Sequence, residues 1–166
     1  MPDARDLRPT PDRVRETLFN WLGQDLSGAS TLDLYAGTGA LTLESLSRGA
    51  SLAVAVDCNP ALIRALEACA RKIGAMPLET HVADAFRYLR GEARRFDVVF
   101  LDPPFADDPW AALFVALAPR LAEGGLIYAE SGRALSPPDG FELVRHGRAG
   151  SVHYHLLALA RLTASR

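Results

Sequence analysis

Short apolar runs alternate with helix-patterned segments along this chain, and the runs stop at acids. Thr31 to Tyr35, Ser51 to Val56, Glu79 to Val82 and Phe96 to Leu101 read as buried strands. Asp33, Asp57, Asp84 and Asp102 fall at or near their ends. Between them, a segment closing near Arg48, Pro60 to Ile73, and a segment opening at Ala85 carry helical spacing. Strands alternating with helices predict an α/β fold, a parallel sheet with helices on both faces. Ligands of such sheets sit beyond the carboxyl ends of the strands. Four acids converging on that edge therefore predict a binding site there.

The flanking segments extend this plan. Thr10-Pro11-Asp12 predicts a helix start: Thr10 can cap, Pro11 suits the first helical position, and Asp12 favours the positive helix end. Val14, Leu18, Trp21 and Leu22 repeat at helical spacing and should face a core. Leu62, Leu66, Cys69 and Ile73 form the corresponding stripe of the helix after the second strand. Ala111 to Leu121 reads as a helix and Gly125 to Glu130 as a fifth strand. Phe141 to His146 and Val152 to Ala160 complete seven strands, as a hairpin turning at Gly147 to Gly150 that adds an antiparallel edge. The expectation is one domain over residues 1–166, with residues 1–28 an N-terminal segment and helix and residues 29–166 the α/β core.

Composition narrows the function classes. Of the 166 residues, 49% are hydrophobic and 23% charged, ordinary for a soluble globular chain. MPDARDLRPT lacks the apolar stretch of a signal peptide, and no apolar run is long enough to span a bilayer. A cytoplasmic protein without membrane contact is expected. A net charge of −2 argues against a general nucleic-acid binder. Cys58 and Cys69 lack metal-ligand spacing, and His81, His146, His153 and His155 are scattered, so no metal is expected. His153 and His155 share one face of a strand-like segment and read as surface histidines.

The turn Gly37-Thr38-Gly39 lets backbone approach a ligand without Cβ clashes. Thr42 stands where the dinucleotide fingerprint GxGxxG has its third glycine, and nothing basic is placed for a pyrophosphate. A ligand without phosphates fits better. S-adenosylmethionine (SAM) is one, with ribose hydroxyls that want an acid and a cationic sulfonium and ammonium. Asp57, about twenty residues past the turn, is placed for ribose hydroxyls. Asp84 can accept from the adenine amino group.

Asp102-Pro103-Pro104-Phe105 suits methyl transfer to an aromatic amine. The lone pair of such an amine is delocalised into its ring. Two acceptors aimed at the NH2, the Asp102 carboxyl and the Pro103 carbonyl, favour the positive charge that grows on nitrogen. The prolines stiffen the loop and remove competing N–H groups. Phe105 offers a face for stacking on a base.

LRPTPDRVRETLFNWL (7–22), LDLYAGTGALTLESLSRGA (32–50), AVAVDCNP (53–60), FLDPPF (100–105) and AGSVHYHLLALAR (149–161) together resemble the bacterial 16S ribosomal RNA guanine-N2-methyltransferases of the RsmD type. The resemblance covers nearly the whole chain, and the RPT-x-DRVRE-x-LFN segment is its specific part. It implies a Rossmann-like class I SAM methyltransferase fold and transfer to N2 of a guanine in 16S rRNA. The substrate would be an assembled or assembling small ribosomal subunit, with the enzyme acting as a monomer. On this resemblance Asp33, Gly37 and Gly39 shape the SAM turn, with Tyr35 in it. Asp57 takes the ribose with Cys58 beside it, and Asp84 with Ala85 lines the adenine. Asp102, Pro103, Pro104 and Phe105 form the catalytic loop, Asp102 also facing the cofactor. Arg8, Thr10 and Arg13 approach the methionine end or the RNA, and Phe105 the target base. Relatives usually carry a short basic, glycine-containing segment ahead of LRPT, where this chain has MPDARD.

Two other readings share these motifs. An adenine-N6 or protein-glutamine methyltransferase would also use DPPF, although no separate target-recognition segment is visible. A non-catalytic RNA-binding assembly factor would keep the fold but has no need of the Asp102 acceptor. RNA contact is expected from two arginine groups beside the carboxyl edge: Arg5, Arg8, Arg13 and Arg15, and Arg87, Arg90, Arg94 and Arg95.

Overall fold

The computed structural model describes residues 12–104 and 108–160. Thr10, Pro11 and the expected helix cap lie outside them. Helix α1 (Asp12–Leu22) is followed by β1 (Ser30–Asp33), α2 (Ala40–Ser47), β2 (Leu52–Asp57), α3 (Pro60–Ile73), β3 (Leu78–Val82), α4 (Ala85–Gly91) and β4 (Phe96–Leu101). Then come α5 (Trp110–Leu117), a 3-10 turn (Ala118–Arg120), β5 (Leu121–Ser131), β6 (Phe141–Ala149) and β7 (Val152–Leu159). The seven strands form one sheet in the order β3-β2-β1-β4-β5-β7-β6. The first five run parallel, and β7 pairs antiparallel with both β5 and β6.

Alternation along the strands divides the core. Leu32, Val54, Val99, Ile127 and Leu157 point to one face, where they meet Tyr88, Leu89, Leu113, Phe114 and Leu117 of α4 and α5. The other face carries Val98, Phe100 and Tyr128, covered by Val14, Leu18 and Phe19 of α1. Ala36, Ala55 and Leu66 form a smaller cluster on α3. Trp21, expected in the core of α1, is half-buried and lies against Tyr154 of β7, ring centroids 5.2 Å apart. Tyr154 in turn lies over Gly147, where a Cβ would come within 2.4 Å of the ring. Gly147 is therefore a strand residue making room for Tyr154, and the hairpin turns two residues later than expected, at Gly150-Ser151.

Three further expectations are corrected. The buried stripe of α3 is Ile63, Leu66 and Ala70, while Cys69 is exposed and Ile73 is 61% exposed. Both stripes pass through Leu66; small Ala70 lets the helix lie close on the sheet. Helix α5 ends at Leu117 and passes into the 3-10 turn, because Pro119 has no N–H to carry the helical bonding on. His155 is fully buried, not at the surface. Its Nε2 accepts from the Leu135 N–H at 3.0 Å, which leaves Nδ1 to donate to the Ala129 carbonyl at 3.0 Å. Burial pulls its pKa down, so it holds the chain after β5 as a neutral ring.

Candidate active site at the carboxyl edge of the sheet

The turn after β1 is held by two hydrogen-bonded acids, Asp57 and Asp33. Gly39 caps α2 in the left-handed region at φ 81°, and a Cβ there would lie 2.2 Å from Leu66 Cδ1. The second glycine of the turn is thus required both by backbone conformation and by the packing of α3. The Gly37 N–H donates to Asp57 Oδ2 at 2.9 Å, and the Asn59 N–H donates to Asp57 Oδ1 at 2.9 Å. Asp57 is held at the end of β2 with lone pairs to spare. Asp84 caps α4, its Oδ1 accepting from the N–H groups of Phe86 and Arg87 at 2.8 and 3.3 Å. Asp84 is exposed, and Ala85 beneath it is buried. Cys58 is exposed beside Asp57, and Tyr35 is half-buried in the turn.

Asp33 is 4% exposed. The Thr42 hydroxyl donates to its Oδ2 at 2.9 Å, and the Tyr35 N–H also donates to its carboxyl. Thr42, which on sequence grounds only marked a departure from the dinucleotide pattern, is the buried partner of this acid. Burial pushes the Asp33 carboxyl up to about 7, helped by the nearby Asp57 and Glu130 charges and opposed by its two hydrogen bonds.

Asp102 follows β4, with Pro103 buried and Pro104 exposed after it. It is largely buried, and its carboxyl is hydrogen-bonded to that of Glu130. Burial, then Glu130, then Asp33 hold its pKa well above the usual carboxylate range. Glu130, 3% exposed on β5, also accepts from the Tyr128 hydroxyl at 2.9 Å. Asp33, Phe100 and Tyr128 are register neighbours across β1, β4 and β5. Residues two apart share a strand face, so Asp33, Asp102 and Glu130 converge on the α1 side of the sheet. Sequence reasoning missed Glu130 and Tyr128. The rule that picked out four strand-end acids points to a fifth at the end of β5.

Arg8, Thr10 and Phe105 lie outside the described residues. Arg13 is exposed on the first turn of α1, and Arg15 is paired to Asp12 at 2.6 Å. The second arginine group does not gather at the carboxyl edge as expected. Helix α4 runs away from that edge, leaving Arg87 near it but carrying Arg90, Arg94 and Arg95 to the amino ends of the strands. Arg94 is also committed to Glu79 at 2.6 Å and Glu92 at 2.8 Å. Among the described residues no three His, Cys, Asp or Glu side chains are grouped to hold a metal ion. No helix among them is long and apolar enough to cross a membrane.

The raised Asp33 carboxyl gives folding stability a sign. A folded-state pKa near 7 against about 3.9 in the unfolded chain means the folded state keeps a proton the unfolded state releases. Stability should therefore fall as pH rises from about 4 to about 7. Asp102 acts in the same direction. Glu92, pulled down to about 2 by Arg94, stabilises with the opposite sign but mainly below that interval. Buried, neutral His155 works with the opposite sign in this interval, so the readout is a difference: from pH about 5 to about 7 the thermal midpoint of Asp33→Asn, which keeps an acceptor for Thr42, should gain on that of the parent. A difference between the two proteins that stays constant over this interval would mean Asp33 is ionised throughout the folded state.

A sheet of this strand order, with a glycine turn after β1 and strand-end acids at its carboxyl edge, defines the class I methyltransferases. The family model of conserved hypothetical protein 95 matches residues 1–158, and the chain belongs to that family. Ribosomal RNA small subunit methyltransferase D of Escherichia coli (strain K12) is 37% identical over 161 residues, covering 94% of this chain and 81% of that protein. The protein of the same name from Haemophilus influenzae is 32% identical, covering 93% and 84%. Among solved structures, yhhF of Escherichia coli matches with a TM-score of 0.83 at 37% identity, over 91% of this chain and 86% of that one. Seven-strand order and hairpin agree with the sequence expectation of a mostly parallel class I sheet.

Proposed function

We propose that this chain transfers the methyl group of SAM to the exocyclic N2 amine of a guanine in 16S rRNA of the small ribosomal subunit, acting in the cytoplasm. The observation that carries the reading is the convergence of buried Asp33 and Glu130 on half-buried Asp102 beside the glycine turn, with Asp102 opening the DPPF loop. That edge is lined by carboxyl oxygens, and its glycine turn carries no basic side chain for a pyrophosphate. It favours a cationic ligand whose ribose meets Asp57 and whose adenine meets Asp84 and Ala85. When bound, SAM supplies a methyl already activated as a sulfonium.

The protein's part is alignment and charge. Asp102 and the Pro103 carbonyl accept from the target NH2 and hold its lone pair toward the donor. Pro103 and Pro104 fix the loop, and Phe105 stacks on the base. A target base buried in RNA must first leave its stack. Relatives named for small-subunit rRNA favour this substrate over DNA adenine or protein glutamine. Incubating the protein with tritiated SAM and, separately, assembled small subunits, naked 16S rRNA, DNA and a release factor tests the reading. Label should enter rRNA and appear as N2-methylguanosine after digestion. Label in DNA or protein alone, or in no substrate, would overturn it.

Asp57→Ala should weaken SAM binding about ten- to hundredfold, since a hydrogen bond to a charged group contributes roughly 1.5–3 kcal/mol. Calorimetric titration of the folded variant checks this. Unchanged affinity would remove Asp57 from the ribose site.

A further inference from the structure

We propose that Glu130 is the final acceptor of the proton that leaves the target amine, and that the proton reaches it through the Asp102 carboxyl. The inference rests on the methyl-transfer reading above and assigns a positioning residue within it. Three observations carry it. Glu130 ends β5 beside Asp102, on strands where Leu101 and Ala129 are register partners. Its side chain is 3% exposed, so it is closed to solvent. Its carboxyl is bonded on one side to the Tyr128 hydroxyl at 2.9 Å and on the other to Asp102.

The charges around this pair are acidic. Asp33 from β1 and Glu130 from β5 press on Asp102, and Asp57 from β2 presses on Asp33. Tyr128 from β5 and Tyr154 from β7 stand behind Glu130, and Tyr128 is kept protonated by burial and by Glu130. Helix α1 contributes Val14, Leu18 and Phe19 to this layer, all apolar. Two carboxyls in contact in such surroundings do not both ionise; they hold one proton between them. The Tyr128 hydroxyl already donates to Glu130, so the shared proton rests on Asp102. Asp102 then donates to Glu130 with one oxygen and offers the other to the amine.

This arrangement balances the reaction. As the N–CH3 bond forms and the S–CH3 bond breaks, nitrogen gains a positive charge and one N–H proton must leave. That proton passes to the outer oxygen of Asp102 while the proton already on its inner oxygen passes to Glu130. Asp102 is a neutral acid before and after. Glu130 goes from carboxylate to acid, and returns its proton to solvent through half-buried Asp102 when the product leaves. Tyr128 holds Glu130 in line by donating to it throughout.

Glu130→Gln keeps the size of the side chain and removes the acceptor. With SAM and assembled small subunits, kcat should fall about a hundredfold, as loss of a positioned base does. SAM affinity by calorimetry should stay unchanged, and the acid limb of the kcat–pH profile should disappear. Tyr128→Phe should give a smaller loss of kcat with the acid limb retained. Infrared spectra of the free protein at neutral pH give a second readout that needs no activity. The parent should show a protonated-carboxyl C=O stretch that is missing in Asp102→Asn. A Glu130→Gln variant with parental kcat or an unmoved acid limb overturns the relay. So does a parent spectrum without the Asp102-dependent band. A parent that methylates no small subunit overturns the functional reading itself and takes the relay with it.

Discussion

Asp102→Ala should abolish methyl transfer while the protein still folds and binds SAM. The alanine removes the acceptor that opens the DPPF loop and leaves the Pro103 carbonyl as a single anchor for the amine. Loss of one preorganised partner of a developing charge costs about a hundredfold to a thousandfold in turnover. Here the cost should reach the upper end, because Glu130 loses its bonded neighbour as well. Stability should not suffer in proportion. Asp102 is a buried acid held far from its ordinary pKa, so removing it relieves a desolvation penalty as it opens a small void. Single-turnover transfer to small subunits, with SAM titrated calorimetrically in parallel, separates the two effects. Turnover near that of the parent would strip Asp102 of its role.

Gly39→Ala should be the most damaging single methyl group that can be added near the site. At φ 81° an L-residue costs roughly 1–2 kcal/mol. The new Cβ would also meet Leu66 Cδ1 at 2.2 Å, and overpacking of this kind costs about 1–3 kcal/mol. Together the loss is about 2–5 kcal/mol, a fall in Tm on the order of 10 °C for a domain of this size. The turn bearing Gly37 and the start of α2 must shift as well, so SAM affinity should fall with stability. Leu66→Ala in the same chain removes the clashing atom but not the backbone strain. The double variant should therefore be less destabilised than the sum of the two singles. Strict additivity would show that the clash is absorbed elsewhere.

The sequence carried the frame of this molecule further than its details. Short apolar runs ending in acids led to a parallel sheet, and Pro60–Ile73 and Phe96–Leu101 have the bounds their patterns suggest. These are elements with clear punctuation: Asn59 caps α3 by accepting from the Ala61 N–H at 2.9 Å, and Gly74 closes it in the left-handed region. Features that depend on what lies opposite were not legible. Which stripe of α3 is buried depends on how close the sheet lies. Gly125 reads as the start of the fifth strand, yet β5 starts at Leu121 and absorbs Gly124-Gly125 in an irregularity opposite Phe96 and Val98. Gly147 reads as a turn because Tyr154, seven residues away, is invisible to local pattern.

The candidate site divides the same way. Asp33, Asp57, Asp84 and Asp102 stood out because each punctuates a strand, and a position at a strand end is a local signal. Glu130 punctuates a strand in the same way and was passed over, while Thr42 did not stand out because its importance lies in the buried acid it meets. Phe19, buried between α1 and the sheet, was passed over because the helical stripe already had Leu18 beside it. The arginine groups failed for a third reason. Charge along a sequence says nothing of direction, and α4 runs back from the carboxyl edge.

The position of β7 has a consequence for how the molecule is made. It is synthesised after β6 yet lies inside it, between β6 and β5. Until residues 152–159 have left the ribosome, β5 has an open edge of unpaired backbone groups, and β6 has no neighbour in the sheet. Tyr154, which seats Trp21 of α1, is also missing until then. The nascent chain therefore cannot close its sheet progressively from one side. It must keep a half-built, adhesive β5 waiting for β7, which makes the interval before residues 152–159 emerge the one in which this sheet is most exposed to aggregation and most in need of chaperones.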